Sequence, residues 1–344
     1  MLSVETEFEE LINDIVSTTK DYKNGKVMNA KHVTKWIEQF HPDIRLTILQ
    51  EMSHILKKHY VSKKATADFM EKLLNKHEIV GDFITNHSTV HFLDIQRNGQ
   101  SQKDLLELLA EVMEDKFDIK LSVCGLQPKT YVYFDDCIFS GNTLLRDMEI
   151  WVNQNQIKNV TVHFVSLAMY NGSRKYLDDK LKELFKDKNV KFEIWRIHEF
   201  GNKAWEKVNY QCLWPTEPTV KDEHVQNFQT YIEELRKENG RQNKFPLFRP
   251  ADQFTAEALF TTKEAREVVE QAFLKHGSHI FSFRNNDSFK PMGYSYFLST
   301  GFGSLFVTYR NVANNSPLVL WWGDPTQGYP LNQWYPLFPR SVNQ

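Results

Sequence analysis

The sequence predicts an α/β protein built around a mainly parallel β-sheet. Short apolar runs typical of buried strands alternate, in the middle of the chain, with segments that have helical hydrophobic spacing. Alternation of this kind predicts parallel strands that are covered by helices on both faces of the sheet. Two of these strands run into glycine-containing loops directly before a helix. Because ligands of such sheets bind at the carboxyl ends of the strands, both loops should lie on the ligand-binding edge.

The N-terminal segment, residues 1–78, is predicted to be helical. Residues 5–15 have amphipathic spacing, Asn29 is placed to cap a second helix, and Pro42 separates that helix from a third. A basic cluster near the end of the segment is interpreted as a solvated surface; it comprises Lys57, Lys58, His59, Lys63 and Lys64. We expect this segment to form a helical cap on the α/β core rather than a catalytic element.

The α/β core is predicted over residues 79–200. Its strands are expected at residues 89–95, 131–135, 160–169 and 190–197. Each of these runs is rich in β-branched or aromatic residues, and amphipathic helical segments separate them.

The central stretch, residues 131–147, reads YVYFDDCIFSGNTLLRD and carries the strongest chemical signal. Its strand ends in Asp135 and Asp136, and a short loop leads into the next helix. That loop comprises Ser140, Gly141, Asn142 and Thr143. Free backbone N–H groups and the positive end of the helix dipole converge at such a loop and favour an anion, most naturally a phosphate.

The adjacent aspartates narrow the ligand class. Two neighbouring carboxylates repel each other, and burying them without partners would cost several kcal/mol. A ribose diol together with Mg²⁺ supplies the hydroxyl and cation partners that they need. A diol beside a phosphate describes a ribose 5-phosphate. The alternative is a strand–turn–helix corner with a purely structural role, in which Asp136 faces solvent and Ser140 or Asn142 caps the helix.

This stretch resembles the PRPP-binding motif of type I phosphoribosyltransferases, in which a strand is followed by two acidic residues and a Thr/Ser-Gly-x-Thr loop. The resemblance implies a three-layer α/β core and a catalytic site where Asp135 and Asp136 hold the ribose hydroxyls. It implies that residues 140–143 bind the 5-phosphate, and that Mg²⁺ is held by the substrate rather than by direct protein ligands. Phe139 departs from the acidic residue of purine-salvage members, so their base contact is not inherited.

The earlier strand–loop–helix unit predicts a second anion site. On the same resemblance it would bind pyrophosphate, and the candidates are Arg97, Gly99, Gln100 and Ser101. Arg97 offers planar paired donors to phosphate oxygens. A plain surface turn at residues 98–99 is the alternative. Residues 116–130 occupy the position of the family's mobile lid, and Lys129 is the lid candidate.

Residues 201–344 are predicted to form an α+β, aromatic-rich extension packed on the core or completing it. Helices are expected at 205–214, 217–239 and 262–275, and β-like segments at 279–284, 303–309 and 318–322, the last two joined by a hairpin loop at 310–317. Phe302, Trp321 and Trp322 are interpreted as core residues. Arg284, Arg310 and Arg340 are interpreted as structural or solvated rather than as ligands of phosphate or nucleic acid.

The stretches NVANNSPLVLWW and WYPLFPR, together with WIEQF at residues 36–40, resemble a subgroup of phosphoribosyltransferase-like effectors of bacterial conflict systems. Some of these effectors are encoded beside retron reverse transcriptases. The resemblance implies a toxin effector in antiphage defence, held in check by a partner such as a reverse transcriptase–msDNA complex or another defence-system protein. It implies PRPP or a related ribonucleotide-like molecule as ligand, whereas the acceptor stays open.

Composition limits the remaining functions. The net charge of −2 argues against binding to nucleic acid through a global basic field. Three cysteines without a CxxC pattern indicate a reducing, cytoplasmic setting, and no apolar run predicts a signal peptide or a membrane span. Two further functions stay open: a housekeeping salvage or biosynthetic phosphoribosyltransferase, and a non-catalytic nucleotide sensor in a nucleoprotein complex.

Overall fold

A computed structural model describes residues 4–97, 99–201, 211–240, 246–250, 257–283, 287–295 and 297–340. The chain forms two compact units. The α/β unit comprises residues 63–200, and the helical unit combines residues 1–62 with residues 201–342. Residues 63–78 therefore belong with the α/β unit, and the N-terminal and C-terminal segments share one unit.

The helices and strands follow in chain order. The helices are α1 (Val4–Thr18), α2 (Ala30–Ile37), α3 (Pro42–His59), α4 (Lys63–Leu74), α5 (His77–Val80), α6 (Phe83–Asn86), α7 (Ser101–Phe117), α8 (Asn142–Asn155), α9 (Arg174–Leu184), α10 (Glu223–Glu238), α11 (Lys263–Phe281) and α12 (Leu318–Trp321). The strands are β1 (Val90–Leu93), β2 (Thr130–Ile138), β3 (Thr161–Tyr170) and β4 (Lys191–Phe200). No helix in these described ranges is long and apolar enough to cross a membrane.

The four strands form one parallel sheet in the order β1-β2-β3-β4. Their register places Tyr133 of β2 beside Phe164 of β3, and Phe164 beside Ile194 of β4. Because the strands are parallel and in register, their carboxyl ends lie along one edge of the sheet. The predicted parallel α/β core is confirmed.

Helices cover both faces of the sheet. On one face, Tyr133 and Phe164 are buried with Leu144 of α8 and Leu177 of α9. On the other face, the rings of Phe92 and Phe134 are stacked with their centroids 6.2 Å apart. Phe83 of α6 packs edge-on against Phe92 and against Phe117, the last residue of α7. The unit therefore has the three layers that the sequence predicted.

The helical unit has an aromatic core contributed by both ends of the chain. Trp36 of α2 is fully buried, and its Nε1–H donates to the Val319 carbonyl oxygen at 2.9 Å. The Nε1–H of Trp334 donates to the same oxygen at 2.9 Å. Asn29 caps α2 through the His32 backbone N–H, and Pro42 begins α3, so both of these sequence predictions are confirmed.

The prediction of β-like segments near the C-terminus is wrong. His279 lies inside α11, and Leu318 begins the short helix α12. Residues 303–309 contribute only isolated bridges, from Val307 and Thr308. Short apolar runs that are buried on all sides do not show strand or helix periodicity, which explains the error. Phe302, Trp321 and Trp322 are buried, as predicted for core residues, whereas Arg284 lies outside the described residues.

A buried ion-pair network supports the helical unit. Glu270 of α11 is fully buried and accepts from Arg266 Nη1 at 2.8 Å, from Arg249 Nη2 at 3.0 Å and from the Trp214 backbone N–H at 2.9 Å. Arg266 also pairs with Glu257 at 2.7 Å. Removing one member of such a network leaves buried charge without compensation.

We expect Glu270→Gln to lower the free energy of unfolding by about 3 kcal/mol, because two buried guanidinium groups lose their shared carboxylate. Urea unfolding followed by circular dichroism measures this change. Glu264→Gln, an exposed change in the first turn of the same helix, should alter stability by less than about 1 kcal/mol. Equal losses in the two variants would contradict a stabilising role for the network.

Candidate functional site

The two aspartates lie near the carboxyl end of β2. The strand continues to Ile138, three residues beyond the predicted end, so Asp135 and Asp136 belong to the strand itself. Asp135 is buried, whereas Asp136 is only partly buried. Asp135 is the register neighbour of Ser166 on β3. The carboxylates are therefore held by the sheet rather than by a flexible loop.

The predicted phosphate loop lies between β2 and α8. Gly141 takes the N-cap position with φ of +78°, and an added Cβ would lie 3.1 Å from Leu177 Cδ1, so both backbone conformation and space favour glycine. Gly141 has no side chain with which to cap the helix. The Asn142 backbone N–H reaches Ser140 Oγ at 3.3 Å. Asn142 and Thr143 are exposed at the first turn of α8, where free N–H groups and the helix dipole attract anions.

The second predicted loop leads from β1 into α7 and is braced by two glutamines. Gln96 Oε1 accepts from the Gln102 backbone N–H at 3.1 Å and lies 2.9 Å from Ser101 Oγ. The side chain of Gln102, which is fully buried, accepts from the Gln96 backbone N–H at 2.9 Å and donates to the Phe134 carbonyl oxygen at 3.2 Å. Gln102 therefore ties the loop to β2. Composition and spacing gave no signal for either glutamine.

Gly99, Gln100 and Arg97 are exposed on this loop, and Gly99 has φ of +112°, which glycine adopts readily. Asn98 lies outside the described residues. Ser101 begins α7 and reaches into the site, where its Oγ lies 3.1 Å from Asp135 Oδ1. The structure therefore brings the two predicted loops together at one contact.

The Ser101 hydroxyl lies between two acceptors. It is placed to donate to Gln96 Oε1 and to Asp135 Oδ1, but it has a single proton. Gln96 Oε1 also accepts from the Gln102 backbone N–H, and Asp135 Oδ1 also accepts from the Asp136 backbone N–H. Ser101 therefore links the β1–α7 loop to Asp135.

Burial and electrostatic interactions favour the protonated form of Asp135. Burial raises the pKa of Asp135 well above its usual range, and the charge of Asp136 and a carboxyl–carboxyl hydrogen bond raise it further. The Ser101 hydroxyl and the Asp136 backbone N–H, which donates to Asp135 Oδ1 at 2.8 Å, lower the pKa but do not outweigh burial. Burial and the neighbouring carboxylate therefore favour the protonated form of Asp135.

Further polar groups lie buried between the sheet and α8, and sequence reasoning missed them. In the described part of the chain, no hydrogen-bond partner is found for the Tyr133 hydroxyl, Ser166 Oγ or Asp147 Oδ2. Asp147 Oδ1 lies 3.5 Å from Arg146 Nη2. Burial raises the pKa of Asp147, and Arg146 and Arg97 oppose that shift. Asp147 lies three residues after Leu144 and four before Trp151, so its place on the apolar stripe was a visible signal.

Lys129 lies at the other end of the sheet. It directly precedes β2, and its backbone N–H donates to the Thr89 carbonyl oxygen at 2.9 Å. Six residues of extended strand, about 20 Å, separate the start of β2 at Thr130 from Asp136. This placement argues against the predicted lid role. The segment before Lys129 is hydrogen-bonded to residues 87–89 rather than free to cover the aspartates.

The carboxyl oxygens of Asp135 and Asp136 are placed to accept from the hydroxyl groups of a ligand. They already exchange hydrogen bonds with each other and with Ser101. Hydroxyl groups of a diol can replace those bonds. Within the described ranges, no three His, Cys, Asp or Glu side chains converge in a way that could hold a metal ion.

We expect Asp135→Asn to stabilise the protein increasingly as pH rises. The folded state keeps the Asp135 proton to higher pH than the unfolded chain, whose pKa is about 3.9. The folded state therefore binds more protons, and this carboxyl lowers stability as pH rises through its folded-state pKa. Urea unfolding of both proteins between pH 5 and 8 tests this. Asp179→Asn, an exposed control, should follow the wild type. A difference that does not grow with pH would contradict the raised pKa.

Comparison with known proteins assigns the chain to a family. The family model described as PRTase-CE matches residues 33–340, which include both loops, both aspartates and most of the helical unit. No curated protein and no solved structure shows significant similarity to the chain. The match covers most of the sequence and agrees with the parallel α/β core and its paired loops. The chain belongs to the PRTase-CE family of phosphoribosyltransferase-like conflict-system effectors.

Proposed function

We propose that this protein binds PRPP or a related ribose phosphate, with Mg²⁺, at the edge formed by Asp135 and Asp136. The contact between Ser101 and Asp135, which joins the two loops, is the observation that carries the proposal. A phosphoribosyl ligand has a diol between two phosphate-bearing ends. The edge offers carboxyl groups between the N-termini of α7 and α8. The carboxyl groups suit the hydroxyls of the diol, and each helix N-terminus suits one of the phosphate-bearing ends. Membership in the PRTase-CE family implies a ribose-phosphate substrate without specifying which one.

The diol would replace the proton on Asp135. Ribose hydroxyls donate to carboxylate oxygens, so their arrival would favour the ionised form of Asp135. Charge-assisted hydrogen bonds of this kind contribute roughly 1.5–3 kcal/mol each. Binding should therefore release a proton. Ser101 contacts Asp135 and begins α7, so ligand binding at Asp135 would directly affect the first turn of α7.

The two phosphate groups would occupy the two loops. The 5-phosphate would lie at residues 140–143, where the first-turn N–H groups of α8 point outward and Gly141 allows close approach. The pyrophosphate would lie at Arg97, Gly99, Gln100 and Ser101, with the Arg97 guanidinium supplying paired donors. The Gln96 and Gln102 contacts hold that loop in place before the ligand binds.

Transfer would break the bond from ribose C1 to the pyrophosphate oxygen and form a bond from C1 to the acceptor. The bond electrons leave with pyrophosphate, and the sugar passes through an oxocarbenium-like state. The protein contributes positioning of the diol and negative charge beside the sugar. When bound, Mg²⁺ would neutralise charge on the departing pyrophosphate. The ligand's orientation is set by this chain's own loops.

The proposal includes a role as toxin effector in antiphage defence, controlled by a partner such as a reverse transcriptase–msDNA complex. Phe139 supports a function other than purine salvage. Its ring lies 5.4 Å from that of Phe200 at the carboxyl ends of β2 and β4, an apolar neighbourhood in place of an acidic base contact. Loss of phage protection on changing Asp136 to Asn in the native gene cluster would support this role, and unchanged protection would exclude it.

We expect Asp136→Asn to weaken PRPP binding at least about tenfold while leaving the fold intact, because one charged acceptor of the diol is lost. Calorimetric titration with PRPP and Mg²⁺, combined with an assay of pyrophosphate release, measures both steps. Lys129→Ala, at the opposite end of β2, should bind as the wild type does. Repeating the titration in buffers of different ionisation enthalpy counts the released proton.

Each outcome of that titration has a distinct meaning. Saturable binding with pyrophosphate release makes the protein an enzyme. Binding without release favours a sensor, or an enzyme that needs its partner. Absence of wild-type binding, or equal binding by Asp136→Asn, rules out the proposed ligand site.

A further inference from the structure

The first turn of α9 supports the loop that precedes α8. Leu177 packs against Gly141, leaving no room for a larger residue in the loop. One residue earlier, the Tyr176 hydroxyl donates to Asn142 Oδ1 at 3.1 Å. The Tyr176 side chain is 47% exposed, so burial alone does not explain its position. A side chain from the next strand–helix unit therefore contacts the centre of the 140–143 loop.

This hydrogen bond, with Tyr176 as the donor, favours one orientation of the Asn142 amide. An asparagine side chain has one oxygen that accepts and one nitrogen that carries two donor hydrogens. Because Oδ1 accepts from Tyr176, the Nδ2 hydrogens face away from α9. The Asn142 backbone N–H is directed toward Ser140 Oγ, so the side-chain amide is the flexible donor at this corner.

A phosphate dianion only accepts hydrogen bonds. An amide that turned its oxygen toward the phosphate would repel it, whereas an amide that presents Nδ2 would stabilise it. Without the Tyr176 hydroxyl both orientations are open to Asn142, and part of the population would present the wrong atom. Holding the correct orientation beforehand removes an ordering cost from binding.

These two contacts between α9 and the loop are uncharged: the hydroxyl of Tyr176 and the apolar side chain of Leu177. Two cations of the helix have acidic partners within it. Arg174 pairs with Asp178 through Nε, at 3.0 and 3.2 Å to the two carboxylate oxygens, and Lys180 pairs with Glu183 at 2.7 Å.

We propose that Tyr176 is a positioning residue that orients the Asn142 amide toward the 5-phosphate of a sugar phosphate. This inference rests on the proposed function of the 140–143 loop and adds a residue from α9 to it. It also specifies the ligand chemistry at this corner as a phosphate monoester, which can use the loop amides and the Asn142 side chain together.

A double-mutant cycle with ribose 5-phosphate as the probe tests the inference. We expect Tyr176→Phe to weaken binding about three- to tenfold, the range of one hydrogen bond. Asn142→Ala should weaken it by at least as much. In the Asn142→Ala background the Tyr176→Phe change should have no further effect, since the residue through which it acts is gone. Tyr131→Phe, which removes a hydroxyl near the amino end of β2, is the matched control and should bind normally.

Additive effects of the two changes, or normal binding by Tyr176→Phe, would overturn the inference. A ligand-free measurement separates this failure from that of the proposed function. In protein with isotope-labelled asparagine, the Asn142 side-chain NH₂ resonances should shift or broaden in Tyr176→Phe. If wild-type protein binds neither PRPP nor ribose 5-phosphate, the proposed function fails. In that case, unshifted Asn142 resonances would show that Tyr176 does not orient the amide, and shifted ones would support the orienting contact.

Discussion

The site depends on one constraint: two adjacent carboxyl groups must be kept at the edge of an apolar sheet. Burial and mutual repulsion make an ionised pair costly there, and they raise the pKa of Asp135, which also accepts a hydrogen bond from Ser101. Gln96 and Gln102 then hold Ser101 in place. The organisation of the β1–α7 loop follows from the need to satisfy Asp135, and this is why two loops distant in sequence lie side by side.

The α/β unit was largely predictable from sequence because its signals are local. Apolar runs gave the strands, and the acidic pair followed by Ser140-Gly141 gave the ligand edge. The partners of the predicted residues were not predictable, since Gln102 reaches β2 and Tyr176 reaches Asn142 through tertiary contacts that no short-range pattern records. Asp147 was an exception, because a carboxylate on an apolar stripe is visible in sequence. For Lys129, position in the chain suggested a lid. The hydrogen bonds of the preceding segment instead place Lys129 at the end of the sheet opposite the aspartates.

The helical unit was predicted less well for a related reason. Its aromatic residues are buried on all sides, so segments such as 318–322 lack the periodicity that separates a strand from a helix. Directional polar contacts inside the apolar core determine how the segments of the helical unit pack together. The Val319 carbonyl oxygen accepts from both Trp36 and Trp334, and Glu270 is held between Arg249 and Arg266. The contact between Trp36 and Val319 joins residues 283 positions apart and can be recognised only in the folded chain.

The division of the chain has a consequence for how the protein emerges from the ribosome. Residues 63–200 form a continuous unit, so all four strands are synthesised before residues 201–342, which belong to the helical unit. The helical unit combines residues 1–62 with later segments, including Trp334, whose Nε1–H reaches Val319. Its N-terminal helices therefore lack these apolar partners until Trp334 has been synthesised. The edge that carries Asp135 and Asp136 is complete in the nascent chain before the aromatic core of the helical unit can form.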